Sequence, residues 1–251
     1  MIAIENLGHQ HGNVTVLRDI NLVIPKSGIT ALIGPNGAGK STLLSLMARL
    51  EPIQTGRITV DDLTLGKCST KVLARRLAIL PQSSDAGLRL TVRELVAFGR
   101  YPHHAGHPGP EDDAITDKAL ALFGLEPIAQ RRTDSLSGGQ RQRVLLAMVY
   151  AQDTDYILLD EPLNNLDMAA AGALMAILQR LCTERQKTIV IVLHDVNYAS
   201  LYADKIVTLK DGQLGPTGHP TSVLVPETLR SVFGVNARVR QIEGRPFVLP
   251  A

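Results

Sequence analysis

The chain is short of cysteine, of net charge and of long apolar runs, and each shortage excludes something. Its two cysteines, Cys68 and Cys182, lie far apart without metal-ligand spacing, so a reduced, cytosolic protein is expected. The net charge of +2 is too small to make nucleic acid or an anionic membrane the main partner. No apolar run approaches the roughly 18 residues of a membrane helix. The start of the chain lacks a basic segment followed by an apolar one, so no secretory signal is expected. If the protein works at a membrane, something else spans it. Internal repeats, coiled-coil heptads and long low-complexity tracts are also missing.

What is present is ordinary globular material. A length of 251 residues allows one large domain or two small ones, and 45% apolar residues with 20% charged ones suffice for a sizeable core. Strand-like and helix-like segments alternate, which points to an α/β fold with a mainly parallel sheet. "ITALIG" (29–34), "LAILPQ" (77–82), "YILLDEP" (156–162) and "TIVIVLHD" (188–195) read as buried strands. Each ends in glycine or polar residues, where a parallel sheet presents ligand-binding groups. "GRITVDD" alternates like a half-exposed antiparallel strand, and "DKIVTLKDGQL" reads as two strands around an Asp-Gly turn. Residues 86–150 look all-helical and inserted between strands. Thr91 with Glu94 has capping-box spacing, Pro110 with three following acids marks a helix start, and Gly124 marks its end. "YPHHAGHPGP" reads as a Pro/Gly/His loop, in which His103, His104 and His107 are expected to be solvated rather than metal-bound.

"GPNGAGKST" (34–42) fits G-x-x-x-x-G-K-[ST] after a strand and before a helix, the context a phosphate cradle needs. Gly34, Gly37 and Gly39 let the backbone wrap closely around phosphates, with Pro35, Asn36 and Ala38 between them, and the successive N–H groups of the non-proline residues point inward. Lys40 supplies charge for the β- and γ-phosphates, the Ser41 hydroxyl suits Mg²⁺, and Thr42 completes the segment. No Asn-Lys-x-Asp stretch follows, which argues against a GTPase. Asp160, at a buried strand end, suits Mg²⁺ directly or through water, and Glu161 can polarise an attacking water. Gln82 and His194 close two other strands; the first can report on Mg²⁺ and the lytic water, the second can bond the γ-phosphate. A second glycine-led helix start, "DSLSGGQRQRV", offers another anion site, with Ser137 and Gln140 at capping-box spacing around Gly138 and Gly139.

Together "GPNGAGKST", Gln82, "LSGGQRQRV", "ILLDEP", "NNLD" and His194 resemble the ATP-binding subunit of an ABC transporter, over nearly the whole chain. The resemblance implies a P-loop core (1–85 and 151–225), a helical subdomain with the signature motif (86–150, Gln82 at its hinge) and a short C-terminal extension (226–251). It implies ATP and Mg²⁺, and a head-to-tail homodimer in which Ser137, Gly138, Gly139 and Gln140 bind the γ-phosphate held by the other copy. Asp167 is then the acid of a loop crossing the dimer interface. Asn164 and Asn165 stand where the family often has Ser and Ala, so different contacts are expected there. His11 falls in the slot of an adenine-stacking aromatic, commonly Tyr, so weaker adenine recognition is expected. Without membrane helices on the chain, the resemblance favours import through two copies of a separate permease, fed by a substrate-binding protein, with this subunit peripheral on the cytoplasmic face of the inner membrane. "LDEPLNNLDM", "LHDVNYASLYADKIVTLKDGQ" and "PETLRSVFGV" are most similar to ferric-siderophore import ATPases. Haem, cobalamin and other metal-chelate importers are the neighbouring alternatives, and a soluble ABC ATPase of DNA repair or translation is the distant one.

Overall fold

The computed structural model describes residues 1–82 and 89–250. Two long strands, β1 (Ile2–His11) and β2 (Val14–Ile24), form an antiparallel pair, and β3 (Gly28–Ile33) follows. Helix α1 (Lys40–Met47) begins straight after the glycine-rich loop. Then come β4 (Thr55–Val60), β5 (Leu63–Thr64), the short α2 (Thr70–Ala74) and β6 (Leu77–Leu80). Helices α3 (Val92–Phe98), α4 (Tyr101–His104), α5 (Pro110–Leu122) and α6 (Gly138–Ala151) lie between β6 and β7 (Tyr156–Asp160). The chain continues through α7 (Met168–Arg185), β8 (Thr188–Val192), α8 (Val196–Tyr202), β9 (Lys205–Lys210) and β10 (Gln213–Gly218). It closes with α9 (Pro220–Val223), α10 (Pro226–Phe233) and a hairpin of β11 (Ala237–Ile242) and β12 (Arg245–Pro250).

A six-stranded sheet, ordered β10-β9-β3-β8-β7-β6, is parallel except for its antiparallel edge β10. A second, antiparallel sheet has the order β2-β1-β4-β5. The continuous apolar runs are explained by burial on both faces of the parallel sheet. Along β7, Ile157 and Leu159 enter one core with residues of α6 and α7. Tyr156 and Leu158, pointing the other way, enter a second core with α1 and the antiparallel sheet. In β4 the alternation holds as expected, with Ile58 and Val60 buried and Thr59 between them less so.

Local signals in the helical block form the elements they announce. Thr91 caps α3 with Glu94 in a reciprocal box, and Pro110 opens α5 with Glu111, Asp112 and Asp113 in its first turn. The expected histidine loop needs correction at its start, because Tyr101–His104 form a helical turn with Pro102 where its missing N–H costs nothing. His103 is half-buried, its Nε2 2.8 Å from the Gln152 carbonyl, and Arg75 donates to the Pro102 and His103 carbonyls at 2.9 Å each. The short C-terminal extension ends in a full hairpin docked on α8. Asn197 pairs with both backbone groups of Val248, donating at 3.1 Å and accepting at 2.8 Å. The start of the helical block at residue 86 lies outside the described residues.

Candidate functional site

Strand register decides which side chains meet. Leu32 of β3 and Asp160 of β7 both pair with Val192 of β8, and Leu80 of β6 pairs with Leu159 of β7. Gly34 and His194 therefore lie two residues past one shared row. Gln82 and Glu161 likewise lie two residues past the row formed by Leu80 and Leu159. Four strand ends thus deliver the loop, the acids, the glutamine and the histidine to one carboxyl edge of the sheet.

The loop between β3 and α1 is shaped by backbone that side chains disfavour. Gly39, the N-cap of α1, has φ 96°, and a Cβ there would lie 2.7 Å from Leu17 and 3.0 Å from the Val16 carbonyl. Gly37 has φ 77°. The Lys40 ammonium is buried and donates to the carbonyls of Gly34 and Pro35, each at 2.8 Å. Burial lowers its pKa from the usual lysine range, and the charges of Glu161 and Asp160 act in the opposite sense. Ser41 Oγ donates to Asp160 Oδ1 at 3.1 Å. Burial raises the Asp160 pKa above the carboxylate range, against the pull of that hydroxyl. Burial thus opposes the charged form of both the lysine and the acid.

Glu161 is the hub of the edge. Its Oε1 lies 2.6 Å from His194 Nε2, and its Oε2 accepts from Gln82 Nε2 at 2.9 Å and from Asn164 Nδ2 at 2.8 Å. Its backbone sits at φ 49°, a left-handed conformation that costs a non-glycine residue about 1–2 kcal/mol. The structure therefore brings Gln82, Asp160, Glu161 and His194 together with Lys40 and Ser41. Asn164 holds the same carboxylate, a contact the sequence does not announce because it depends on the turn after β7.

The second glycine-led start is well formed but local. Ser137 Oγ accepts from Gln140 N at 3.3 Å, and Gln140 Oε1 accepts from Ser137 N at 3.1 Å. Among the described residues, no hydrogen bond runs from Ser137, Gly138, Gly139 or Gln140 to the phosphate loop of the same chain. The segment is instead tied to the turn after β7. Gln142 Nε2 donates to the Pro162 carbonyl at 3.0 Å, and Asn165, at φ 64°, lies over Gly138 and Gly139. Asp167 caps α7, accepting from Ala170 N at 2.8 Å. His11, at the end of β1, is half-exposed with its ring edge-on to His9. It belongs to the strand pair whose Val16 and Leu17 pack on Gly39.

Comparison with known proteins agrees with this geometry. A family model described as ABC transporter matches residues 17–164. The petrobactin import ATP-binding protein YclP of Bacillus subtilis is 44% identical over 98% of this chain and 97% of its own length. The ferric enterobactin transport ATP-binding protein FepC of Escherichia coli is 37% identical over 98% of this chain and 92% of its own. Among solved structures, an ABC transporter of metal-chelate type in an inward-facing conformation superposes with a TM-score of 0.85 at 28% identity, covering 100% of this chain and 96% of that one. A dimeric ATP-binding cassette in a post-hydrolysis state, bound to ADP and Pi, gives 0.80 at 28% identity over 87% of this chain and 98% of that one. With a matching family model across the phosphate loop and the turn after Glu161, and relatives of this identity along nearly its full length, the chain belongs to the ABC transporter family.

Proposed function

We propose that the chain hydrolyses ATP as the motor subunit of an importer, and that two copies seated on a separate permease power uptake of an iron–siderophore complex delivered by a binding protein. The import names of the relatives support the substrate class. No helix among the described residues is long and apolar enough to cross a membrane, which fits attachment through permease chains at the inner face of the membrane. The hydrolytic reading rests on one observation above all, the hydrogen-bonded group of Gln82, Asn164 and His194 around Glu161, beside Lys40 and Asp160.

On this reading ATP lies along Gly34, Pro35, Asn36, Gly37, Ala38, Gly39, Lys40, Ser41 and Thr42, with adenine against His11. The backbone N–H groups of the loop and the Lys40 ammonium cradle the phosphates, the lysine exchanging its two carbonyl partners for phosphate oxygens. The Ser41 hydroxyl and the buried Asp160 carboxylate, with the Gln82 amide, form a hard oxygen set of the kind Mg²⁺ takes. These residues would hold Mg²⁺, which would supply neutralisation of the phosphate charge there. Glu161 orients a water and takes its proton as the oxygen attacks the γ-phosphorus; the bond from that phosphorus to the β–γ bridging oxygen breaks, ADP leaves with the electron pair, and His194 bonds the γ-phosphate that becomes inorganic phosphate. Ser137, Gly138, Gly139 and Gln140 of the helical insert 86–150 complete the site of the other copy, and the loop ending in Asp167 crosses the interface. That, among the described residues, no same-chain hydrogen bond joins the signature segment to the cradle supports a site completed in trans. Charge-assisted hydrogen bonds to a γ-phosphate last only until hydrolysis, so ATP closes the pair and turnover opens it.

The test is Glu161→Gln. ATPase turnover is expected to fall about 10²–10⁴-fold, while Mg-ATP still binds and the protein runs as a dimer on size exclusion. Unchanged turnover would remove Glu161 as the base. With the permease in liposomes, binding protein loaded with ferric siderophore should stimulate ATP hydrolysis; stimulation only by a different chelate would overturn the substrate class.

A further inference from the structure

At the end of β1, away from the Ser41–Asp160 pair, three metal-ligating side chains converge that the ATPase reading does not use together. His9 and His11 are two residues apart on one strand, so their side chains leave the same face. Glu51 reaches them from the loop after α1. That loop is pinned to the strand by a reciprocal amide pair, Gln54 Oε1 accepting from Gln10 N at 2.7 Å and Gln54 Nε2 donating to the Gln10 carbonyl at 2.9 Å. Glu51 Oε2 is 2.8 Å from His9 Nε2 and 3.7 Å from His11 Nε2, and one ligand atom from each of the three side chains lies within 4.8 Å of the others.

The second observation is the state of His9. It is only 3% exposed, yet neither ring nitrogen makes a hydrogen bond among the described residues. The short approach of Glu51 to Nε2 does not meet the directional requirement, because the carboxylate oxygen lies off the axis of the ring nitrogen. A buried imidazole without a directed partner has lost its hydration with nothing in exchange. A cation on the Nε2 lone pair offsets that loss, and a carboxylate beside the lone pair is where a second ligand of the same ion belongs.

We propose that His9, His11 and Glu51 bind a single borderline divalent transition metal, of the Zn²⁺ or Co²⁺ class, separate from the Mg²⁺ of the nucleotide. Ligand bonds of roughly 2.0–2.2 Å in a tetrahedron put ligand atoms about 3.4 Å apart. Two of the three separations, 2.8 and 3.7 Å, fall on either side of that value, and the third, between the two imidazoles, lies within 4.8 Å, so the exposed His11 ring closes toward the ion on binding. Two imidazoles and one carboxylate leave a fourth position for water, and His11 and Glu51 are exposed enough to admit the ion. Imidazole nitrogens disfavour Mg²⁺ and Ca²⁺, so the two sites differ in hardness and are read independently.

The experiment is a Co²⁺ titration of the chelator-stripped full chain in excess Mg²⁺, without nucleotide, followed by the visible ligand-field absorption of tetrahedral Co²⁺. Saturation at one equivalent is expected, with loss of the band on adding one equivalent of Zn²⁺. His11→Ala and Glu51→Gln should each weaken binding at least about tenfold, the lower end of what even outer-shell partners of a metal cost. His104→Ala, remote from the cluster, should leave it unchanged. These two variants carry the test because His9 is buried, and circular dichroism confirms that they fold. A missing stoichiometric band, or one kept at full affinity in both variants, overturns the site.

Discussion

On the proposed reading a single side chain, His11, sets how firmly the base of the nucleotide is held. Stacking on an aromatic ring is worth about 1–3 kcal/mol per base where it has been measured, and imidazole presents a smaller face than phenol. His11→Tyr is therefore expected to tighten ATP binding by about 1 kcal/mol, roughly fivefold. The measurement is equilibrium ATP binding in transition-metal-free buffer, because the same substitution removes a ligand of the cluster with His9 and Glu51. Affinity that does not rise would place adenine elsewhere. Thiol reactivity is a second residue-scale property. Burial pushes the Cys182 thiol up to about 12, whereas Cys68 is only partly buried. At pH 8 about one Cys182 in ten thousand is then thiolate, the reactive form. A disulfide reagent should modify one thiol per native chain, with Cys182 reacting only on unfolding. Two equally fast thiols in the native protein would contradict that burial.

At the scale of elements, the start of α6 separates stability from ligand binding. Ser137 and Gln140 satisfy one another, so their side chains serve the helix first. A Cβ on Gly138 would meet the Asn165 side chain at 3.5 and 3.9 Å, ordinary contact distances. Gly138→Ala should therefore keep or raise the melting temperature, since alanine favours a helix over glycine by up to about 1 kcal/mol. If the other copy's γ-phosphate approaches this backbone, the same methyl group blocks it. The ATP-dependent dimer of Glu161→Gln should then weaken when Gly138→Ala is added, on size exclusion with Mg-ATP. A dimer of unchanged affinity would argue against the trans contact. Helix starts were legible in the sequence because a cap is local: Thr91 with Glu94, Ser137 with Gln140 and Pro110 each act within one turn. The strands β3, β6, β7 and β8 were legible as apolar runs for the same reason. What escaped depends on distant partners. The turn α4 is supported by Arg75 and Gln152, the hairpin β11–β12 by Asn197, and the approach of Glu51 to His9 by Gln10 with Gln54. No window of sequence contains both members of those pairs.

At the scale of the whole molecule, the parallel sheet has a core on each face, and polar links as well as apolar packing join the antiparallel sheet to it. Asp61, in the turn between β4 and β5, is one of them. Its Oδ1 accepts from the buried Tyr156 hydroxyl at 2.8 Å, at the start of β7, and lies 2.9 Å from Lys26 Nζ. Burial pushes the Asp61 carboxyl up, but hydrogen bonds from the Met1 amino group, Lys26 and Tyr156 outweigh it and hold the carboxyl well below the usual range. Burial, with Asp61 beside it, raises the Tyr156 hydroxyl. A folded value below the unfolded one, about 3.9, means that the ionised carboxylate stabilises the fold above about pH 4. That contribution is lost as pH falls toward the depressed folded value. Asp61→Asn is expected to lower unfolding free energy at pH 7 by about 1.5–3 kcal/mol, the range for a hydrogen bond to a charged group. The gap from the unaltered protein should narrow once the pH drops below about 4. Urea denaturation of both proteins from pH 7 to pH 3 reads the gap directly. Tyr156→Phe locates its source: if the link joins the two sheets, the double variant loses less than the sum of the singles, because each single change already breaks the same bond. Strict additivity, with a gap that ignores pH, would mean that the Asp61–Tyr156 bond contributes nothing to holding the two sheets together.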